Sequence, residues 1–302
     1  MEFRLIDTAC PICGNLEGET TLYAPNFTPS DLNPQVFSAR RLPDRIHYRL
    51  VRCTGCGLVR SDPIADPALL ASLYRESVLT YGQEVDNLRK TYGAYLDRAG
   101  KHAAGKNSLL EIGCGNGFFL QEALKRGFSS VFGVEPSRSA VESAAPELAG
   151  RIRVDVMRPG LFPESTFDAI GMFQVLDHIP DPNSLLNECF KILVPGGAVL
   201  CFNHNVEALA NRLLGEKSPI VDVEHTFLYS PATISRLFAS HGFTVKECGP
   251  AVNTISLRHL LHLFPLPHSL KKQLLRLAEK LAIANASFRL PIGNLYLIAV
   301  KQ

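Results

Sequence analysis

Apolar positions along this 302-residue chain change period several times, and each change predicts a different element. Residues 1–62 show no helical period. Pro25, Pro29, Pro34 and Pro43 interrupt the stretch, and His47–Arg52 reads as a strand. After Pro63 and Pro67 the pattern turns helical, with Leu69, Leu70, Leu73 and Tyr74 on one face. A second helix is predicted from about Gln83 to about His102, with Leu88, Tyr92, Tyr95 and Leu96 in one stripe. From Ser108 short apolar runs alternate with amphipathic stretches. The strands predicted there are Leu109–Ile112, Ser130–Val134, Phe167–Phe173, Ala198–Phe202 and Asn294–Val300, with a helix over Gly117–Arg126. That alternation implies βαβ units and a mostly parallel sheet covered on both faces, an α/β architecture. Between the last two strands, Ser269–Leu281 forms an amphipathic helix with Leu270, Leu274, Leu277 and Leu281 on one face, preceded by Leu260, Leu261, Leu263 and Phe264.

Charge sharpens this picture in one place. The formal net charge is +2, from 31 basic and 29 acidic residues. Such a balance argues against a protein whose main task is to hold a nucleic-acid backbone. Residues 251–302 nevertheless carry seven basic residues and one acid. A basic helix with a leucine face suits weak contact with an anionic membrane surface. The expectation here is the plainer one, an insertion whose leucine face packs on the domain. No apolar run approaches a transmembrane span and Met1–Cys10 has no apolar signal core, so a cytoplasmic location is expected.

Four of the eight cysteines form two C-x-x-C-G motifs, Cys10–Gly14 and Cys53–Gly57. Each motif can present two thiolates from one tight turn. Together Cys10, Cys13, Cys53 and Cys56 predict a structural zinc site with no open coordination position. The spacer from residue 14 to residue 52 requires an inserted loop. Cys189, Cys201 and Cys248 are predicted core residues.

The first strand of the α/β region runs into Glu111-Ile-Gly113-Cys114-Gly115-Asn116-Gly117. A glycine-rich turn after a first strand lets a ligand approach the backbone closely. The spacing is G-x-G-x-G and differs from the dinucleotide pattern. Glu135 closes the second strand, 20 residues after Gly115, where a carboxylate can accept both ribose hydroxyls. Glu111 would repel a pyrophosphate and suits a cationic ligand. Cys114 is expected to be a small buried filler inside the loop.

With these residues, Leu109 to about Gln302 resembles a class I S-adenosylmethionine-dependent methyltransferase. The glycine loop matches the family's first motif and Glu135 its ribose-binding acid. Asp155 falls where the family places an acid near the adenine amino group. Phe167-Asp168, followed by Phe173-Gln-Val-Leu-Asp-His-Ile-Pro-Asp-Pro182, resembles the fourth-strand segment, and Leu193-Val-Pro-Gly-Gly197 the turn before strand five. The cysteine pairs resemble the zinc module that precedes this fold in a bacterial group including sugar C-methyltransferases.

The resemblance implies a Rossmann-like sheet with a small zinc-ribbon-like module. It divides the chain into a module at 1–62, a helical connector or cap at 63–105 and a methyltransferase domain at 106–302, with a helical insertion at about 251–290. It implies S-adenosylmethionine as cofactor, held by Glu111, Gly113, Cys114, Gly115, Gly117, Glu135, Asp155, Phe173 and Gln174. The acceptor expected is a small molecule, a sugar or a glycan- or lipid-linked group. An RNA methyltransferase and an inactive cofactor-binding scaffold are the alternatives.

In such a reaction a histidine is the natural base near neutral pH. His178, after the fourth strand, and His225, in Asp222-Val-Glu-His225-Thr-Phe-Leu-Tyr229-Ser230-Pro231, are the candidates. His204 is a third choice. For Asp177 a solvated loop acid is expected ahead of one that holds a neighbouring side chain; Tyr229 is expected to be a packing residue and Ser230 a helix cap. His241 is expected at a helix end and His268 in a loop.

Overall fold

The computed structural model describes residues 3–37, 44–78, 84–263 and 266–302. Pro43, Gln83 and Phe264, named above, lie outside the described residues. The centre of the molecule is a seven-stranded sheet. Its strands in chain order are β1 (Ser108–Ile112), β2 (Ser130–Glu135), β3 (Ile152–Val154), β4 (Phe167–Phe173), β5 (Leu193–His204), β6 (Phe243–Pro250) and β7 (Asn294–Lys301). Across the sheet the order is β6-β7-β5-β4-β1-β2-β3. Five neighbouring strands are parallel, and β7 runs antiparallel between β5 and β6. All seven residues of β4 are buried, as expected for a parallel strand covered on both faces. The parallel strands therefore bring their carboxyl ends, at Ile112, Glu135, Phe173 and His204, to one edge of the fold.

The helix Val85–Ala99 lies against this sheet rather than apart from it. Its Tyr92 stacks on Phe173 with ring centroids 4.0 Å apart, and Tyr95 packs on Phe202 and Tyr296. Stacked pairs of this kind contribute about 1 kcal/mol each beyond area burial. The helix Pro67–Glu76 is capped by Asp66, whose carboxylate accepts from the Ala68 amide at 2.8 Å. It buries Leu70 and Leu73 as the spacing predicts.

The N-terminal residues build a four-stranded sheet from Glu19–Tyr23, Leu50–Cys53, Val59–Ser61 and Phe227–Leu228. Its fourth strand comes from the segment after β5: Phe227 pairs with Arg60 and Leu228 with Val59. The cysteine module and the large sheet are joined through this pairing. Cys10, Cys53 and Leu58 share one apolar cluster with Leu110, Phe227 and Tyr229.

Between β6 and β7 the strands Asn253–Ser256 and Ser287–Leu290 form an antiparallel ribbon carrying the helices Leu257–Leu263 and His268–Lys280. Two expectations are corrected here. His268 is the first residue of a helix and not a loop residue. The leucine face does not pack on the domain: Leu270, Leu277 and Leu281 are exposed, while the helix buries Ala278 and half-buries Leu274 and Leu275. The helix is rotated so that Ala278, flanked by Leu274 and Leu275, faces inward and the other three leucines of the stripe face outward. His241 caps the helix Pro231–Ser240, and Ser230 caps its start by accepting from the Thr233 amide at 3.2 Å. Cys189 and Cys201 are fully buried and Cys248 is half-buried. No helix among the described residues is long and apolar enough to cross a membrane.

Candidate active site and cysteine cluster

A cavity of about 1380 Å³ opens along the carboxyl edge of the sheet. Gly113, Glu135, Asp155, Phe173 and Gln174 line it, as do His178, His204 and His225. Tyr74 and Leu70 close it from the helix Pro67–Glu76, and Cys10 and Pro11 from the cysteine module. Glu111, Cys114, Gly115 and Gly117 lie behind this lining.

The glycine loop shapes one end. Gly113, Gly115 and Gly117 all have positive φ, at 69°, 55° and 75°, a conformation side chains rarely adopt. A Cβ on Gly113 would also come within 2.5 Å of Val175 Cγ2. Gly115 N–H donates to Glu135 Oε2 at 2.8 Å, and Ser137 N–H donates to Oε1 at 3.0 Å. Each oxygen keeps a second lone pair for a ligand. Burial pushes the Glu135 carboxyl up, and the Ser137 and Gly115 amides oppose it. Glu111 is buried within β1. Cys114 is buried as expected, and burial, with Glu111 and Glu135 nearby, raises its thiol well above the ordinary range. It is held as a neutral filler. Asp155 follows β3, accepts from its neighbour Val156 N–H at 2.8 Å and pairs with Arg158 at 3.1 Å.

Gln174 ends β4 with φ 57°, a strained conformation for a residue with a Cβ. Its amide donates to Phe202 O at 2.7 Å, while its buried side-chain Oε1 has no hydrogen-bond partner among the described residues. Phe173 packs among Tyr92, Phe119 and Phe202 as well as lining the cavity.

At the other end three imidazoles surround one carboxylate. Asp177 is 1% exposed, which corrects the expectation of a solvated loop acid. The turn Leu176–His178 points it inward, under the segment that carries His225. Thr226 N–H donates to its backbone carbonyl at 2.8 Å. His204 Nδ1 donates to Asp177 Oδ2 at 2.7 Å, and His178 Nε2 lies 3.6 Å from Oδ1. The His225 ring lies 4.8 Å from His178 and 4.7 Å from His204, centroid to centroid. Burial alone would raise the Asp177 carboxyl. The imidazoles of His178, His204 and His225 outweigh it and hold the group well below the usual carboxylate range. His225 is displaced downward, first by burial and then by the neighbouring imidazoles of His204 and His178. It is neutral at pH 7. Its Nδ1 donates to Ile220 O at 2.9 Å, so Nε2 carries the lone pair.

The predicted pair His178 and His225 is thus brought together, and His204 joins it. Two contributors were not foreseen. Tyr74 OH is 2.9 Å from His178 Nδ1, and Ser61 Oγ donates to His225 O at 2.7 Å. Tyr74 sits at the helical spacing of the core leucines, so its sequence signal was that of packing. Ser61 has no local signal, because its partner is 164 residues away. Tyr229 is a buried packing residue whose hydroxyl has no hydrogen-bond partner among the described residues.

In the module, Cys10, Cys13, Cys53 and Cys56 place one sulfur each within 4.8 Å of all the others. Gly14 N–H bonds back to Cys10 O at 2.8 Å and Gly57 N–H to Cys53 O at 2.9 Å, closing two matching turns. Both glycines have positive φ, 73° and 80°. The cluster is a soft four-donor set that can hold a metal ion.

Residues 85–247 match a family described as a methyltransferase domain. A ubiquinone biosynthesis O-methyltransferase from Psychrobacter arcticus is 26% identical over 174 residues, 52% of this chain and 67% of the relative. A tRNA U34 carboxymethyltransferase from Methylococcus capsulatus is 32% identical over 162 residues, 51% of this chain and 48% of the relative. The matches thus span about half to two thirds of these relatives. A solved SAM-dependent methyltransferase from Archaeoglobus fulgidus is 20% identical, covering 72% of this chain and 97% of its own, with a TM-score of 0.48. On the family match over more than half its length, the chain belongs to the methyltransferase domain family and is a class I S-adenosylmethionine-dependent methyltransferase.

Proposed function

We propose that the chain methylates a small-molecule, sugar or glycan- or lipid-linked acceptor inside the cavity, with His225 as general base and a structural zinc ion in the cysteine module. The observation that carries this is one cavity lined both by Gly113 and Glu135 and by the imidazoles gathered around Asp177. When bound, S-adenosylmethionine supplies a methyl group already activated on a sulfonium. The chain's own work is to align the acceptor, exclude water and remove a proton.

Glu135 offers its two remaining lone pairs to ribose hydroxyls, and Gly113 lets the ligand approach the backbone. Gln174 Oε1 and Asp155 supply further polar contacts along the wall. The methyl acceptor would sit beside Nε2 of His225, with His178 as a second base or acceptor contact. Asp177 stays ionised and orients His204 and His178. It also stabilises the imidazolium that forms when a proton is taken.

The metal assignment rests on donor chemistry and spacing. Zinc–sulfur bonds of about 2.3 Å in a tetrahedron put sulfurs about 3.8 Å apart. The pairs Cys10–Cys56 and Cys13–Cys53 are at 3.3 and 3.4 Å, and all four lie within 4.8 Å. With four sulfur donors no position is left for a substrate, so this ion would be structural.

A balanced overall charge favours a small acceptor over RNA. Glu135→Ala should weaken S-adenosylmethionine binding by about tenfold or more, the loss of two charge-assisted hydrogen bonds. Unchanged affinity in a calorimetric titration would remove the ribose role. Transfer of labelled methyl to nucleotide-linked sugars or lipid-linked glycans supports the acceptor class. Retention of the protein on RNA at moderate salt, with methylation of that RNA, would overturn it.

A further inference from the structure

We propose that the helix His268–Lys280 docks the protein on an anionic lipid bilayer. Leu270, Leu277 and Leu281 fall on one stripe of this helix and are 39%, 54% and 58% exposed. Ile283 follows directly and is 43% exposed. Lys272, Arg276 and Lys280, spaced four residues apart, form an exposed basic row about 120° round the helix from the stripe, on the side away from buried Ala278. Residues 251–302 carry a net +6, seven basic residues against one acid. That acid, Glu279, is already paired with Arg258 at 2.8 Å.

The combination identifies the partner. A basic row alone would suit any polyanion, but nucleic acid has no use for a stripe of exposed leucines on the same helix. An anionic bilayer accepts both: the leucines enter the headgroup–acyl boundary and the cations meet the lipid phosphates. The helix is also tied to the cavity. Lys271 Nζ donates to His262 O at 2.7 Å on the short helix Leu257–Leu263, and Arg258, His259, His262 and Leu263 of that helix line the cavity. Docking would hold one wall of the cavity at the lipid surface, where a lipid-borne acceptor is presented. This inference rests on surface geometry and charge, independently of the methyl-transfer reading, and its test needs no turnover.

The chain contains no tryptophan, so Leu277→Trp introduces a single reporter. The full-length, zinc-loaded Leu277→Trp protein is mixed with vesicles of equal parts phosphatidylglycerol and phosphatidylcholine, or of phosphatidylcholine alone. The expected result is a blue-shifted emission and co-sedimentation with the anionic vesicles, both reversed by high salt. In the otherwise native chain, Leu270→Gln with Leu281→Gln should weaken anionic-vesicle binding by about tenfold or more, with S-adenosylmethionine affinity and Tm retained. No spectral shift, or equal binding to both vesicles, would overturn the proposal. So would a dimer in sedimentation equilibrium that the double leucine variant dissolves, since that would assign the face to a second copy.

Discussion

Replacing His225 by glutamine should lower kcat by about 10²- to 10⁴-fold while S-adenosylmethionine affinity is kept. His225 is 6% exposed; its Nδ1 is bonded to Ile220 O, its backbone carbonyl to Ser61 Oγ, and its ring packs against those of His178 and His204. Glutamine can keep much of the shape but cannot accept and release the proton. The pH profile gives a second readout. Burial first, then His204 and His178, depress the proton affinity of His225 below its ordinary value. A group depressed in this way stays unprotonated as pH falls through about 6.5, the unperturbed imidazole value. The acid limb of kcat/KM should therefore lie below that pH in the native protein and vanish in His225→Gln. His178→Gln should cost less, because His178 meets the base across a ring contact and bonds to Tyr74. Full activity in both variants would remove the base assignment.

Replacing Cys53 by serine should unfold the module's two turns and cost activity at a distance. The expected fall in Tm is on the order of 10 °C, since each kcal/mol moves a domain of this size by a few degrees and a structural zinc site contributes several. The functional loss follows from the shared sheet. Cys53 ends the strand Leu50–Cys53, which pairs with Val59–Ser61, which in turn pairs with Phe227–Leu228. Ser61 holds the His225 carbonyl directly, and Ser61 N–H donates to Thr226 O at 2.9 Å. Without the cluster the base loses its support, so kcat should fall more than cofactor affinity. A Cys53→Ser protein with unchanged zinc content, Tm and kcat would show that the four sulfurs hold no ion that matters to the site.

What was legible in the chain is what local chemistry controls. Gly113, Gly115 and Gly117 need their backbone conformation wherever the loop sits, and Glu135 follows at the end of the next strand. The C-x-x-C turns carry their own signal for the same reason. The helix Val85–Ala99 and strands β1, β4, β5 and β7 fall close to where their periodicity places them. Asp177 was misjudged because an acid next to a histidine in a turn reads as solvated. What buries it is a segment almost fifty residues later, through Thr226 and His225. Tyr74 and Ser61 were missed because their roles exist only once distant strands pair. The leucine helix was assigned to the core because amphipathicity says which residues share a face, and nothing about whether another element covers it.

The central claim, a cavity that binds S-adenosylmethionine beside a histidine base seated among the imidazoles around Asp177, is tested most directly by calorimetric titration of the zinc-loaded protein with this cofactor. The account predicts a single site with a dissociation constant of about micromolar order. Folded, zinc-loaded protein that takes up no S-adenosylmethionine would contradict it.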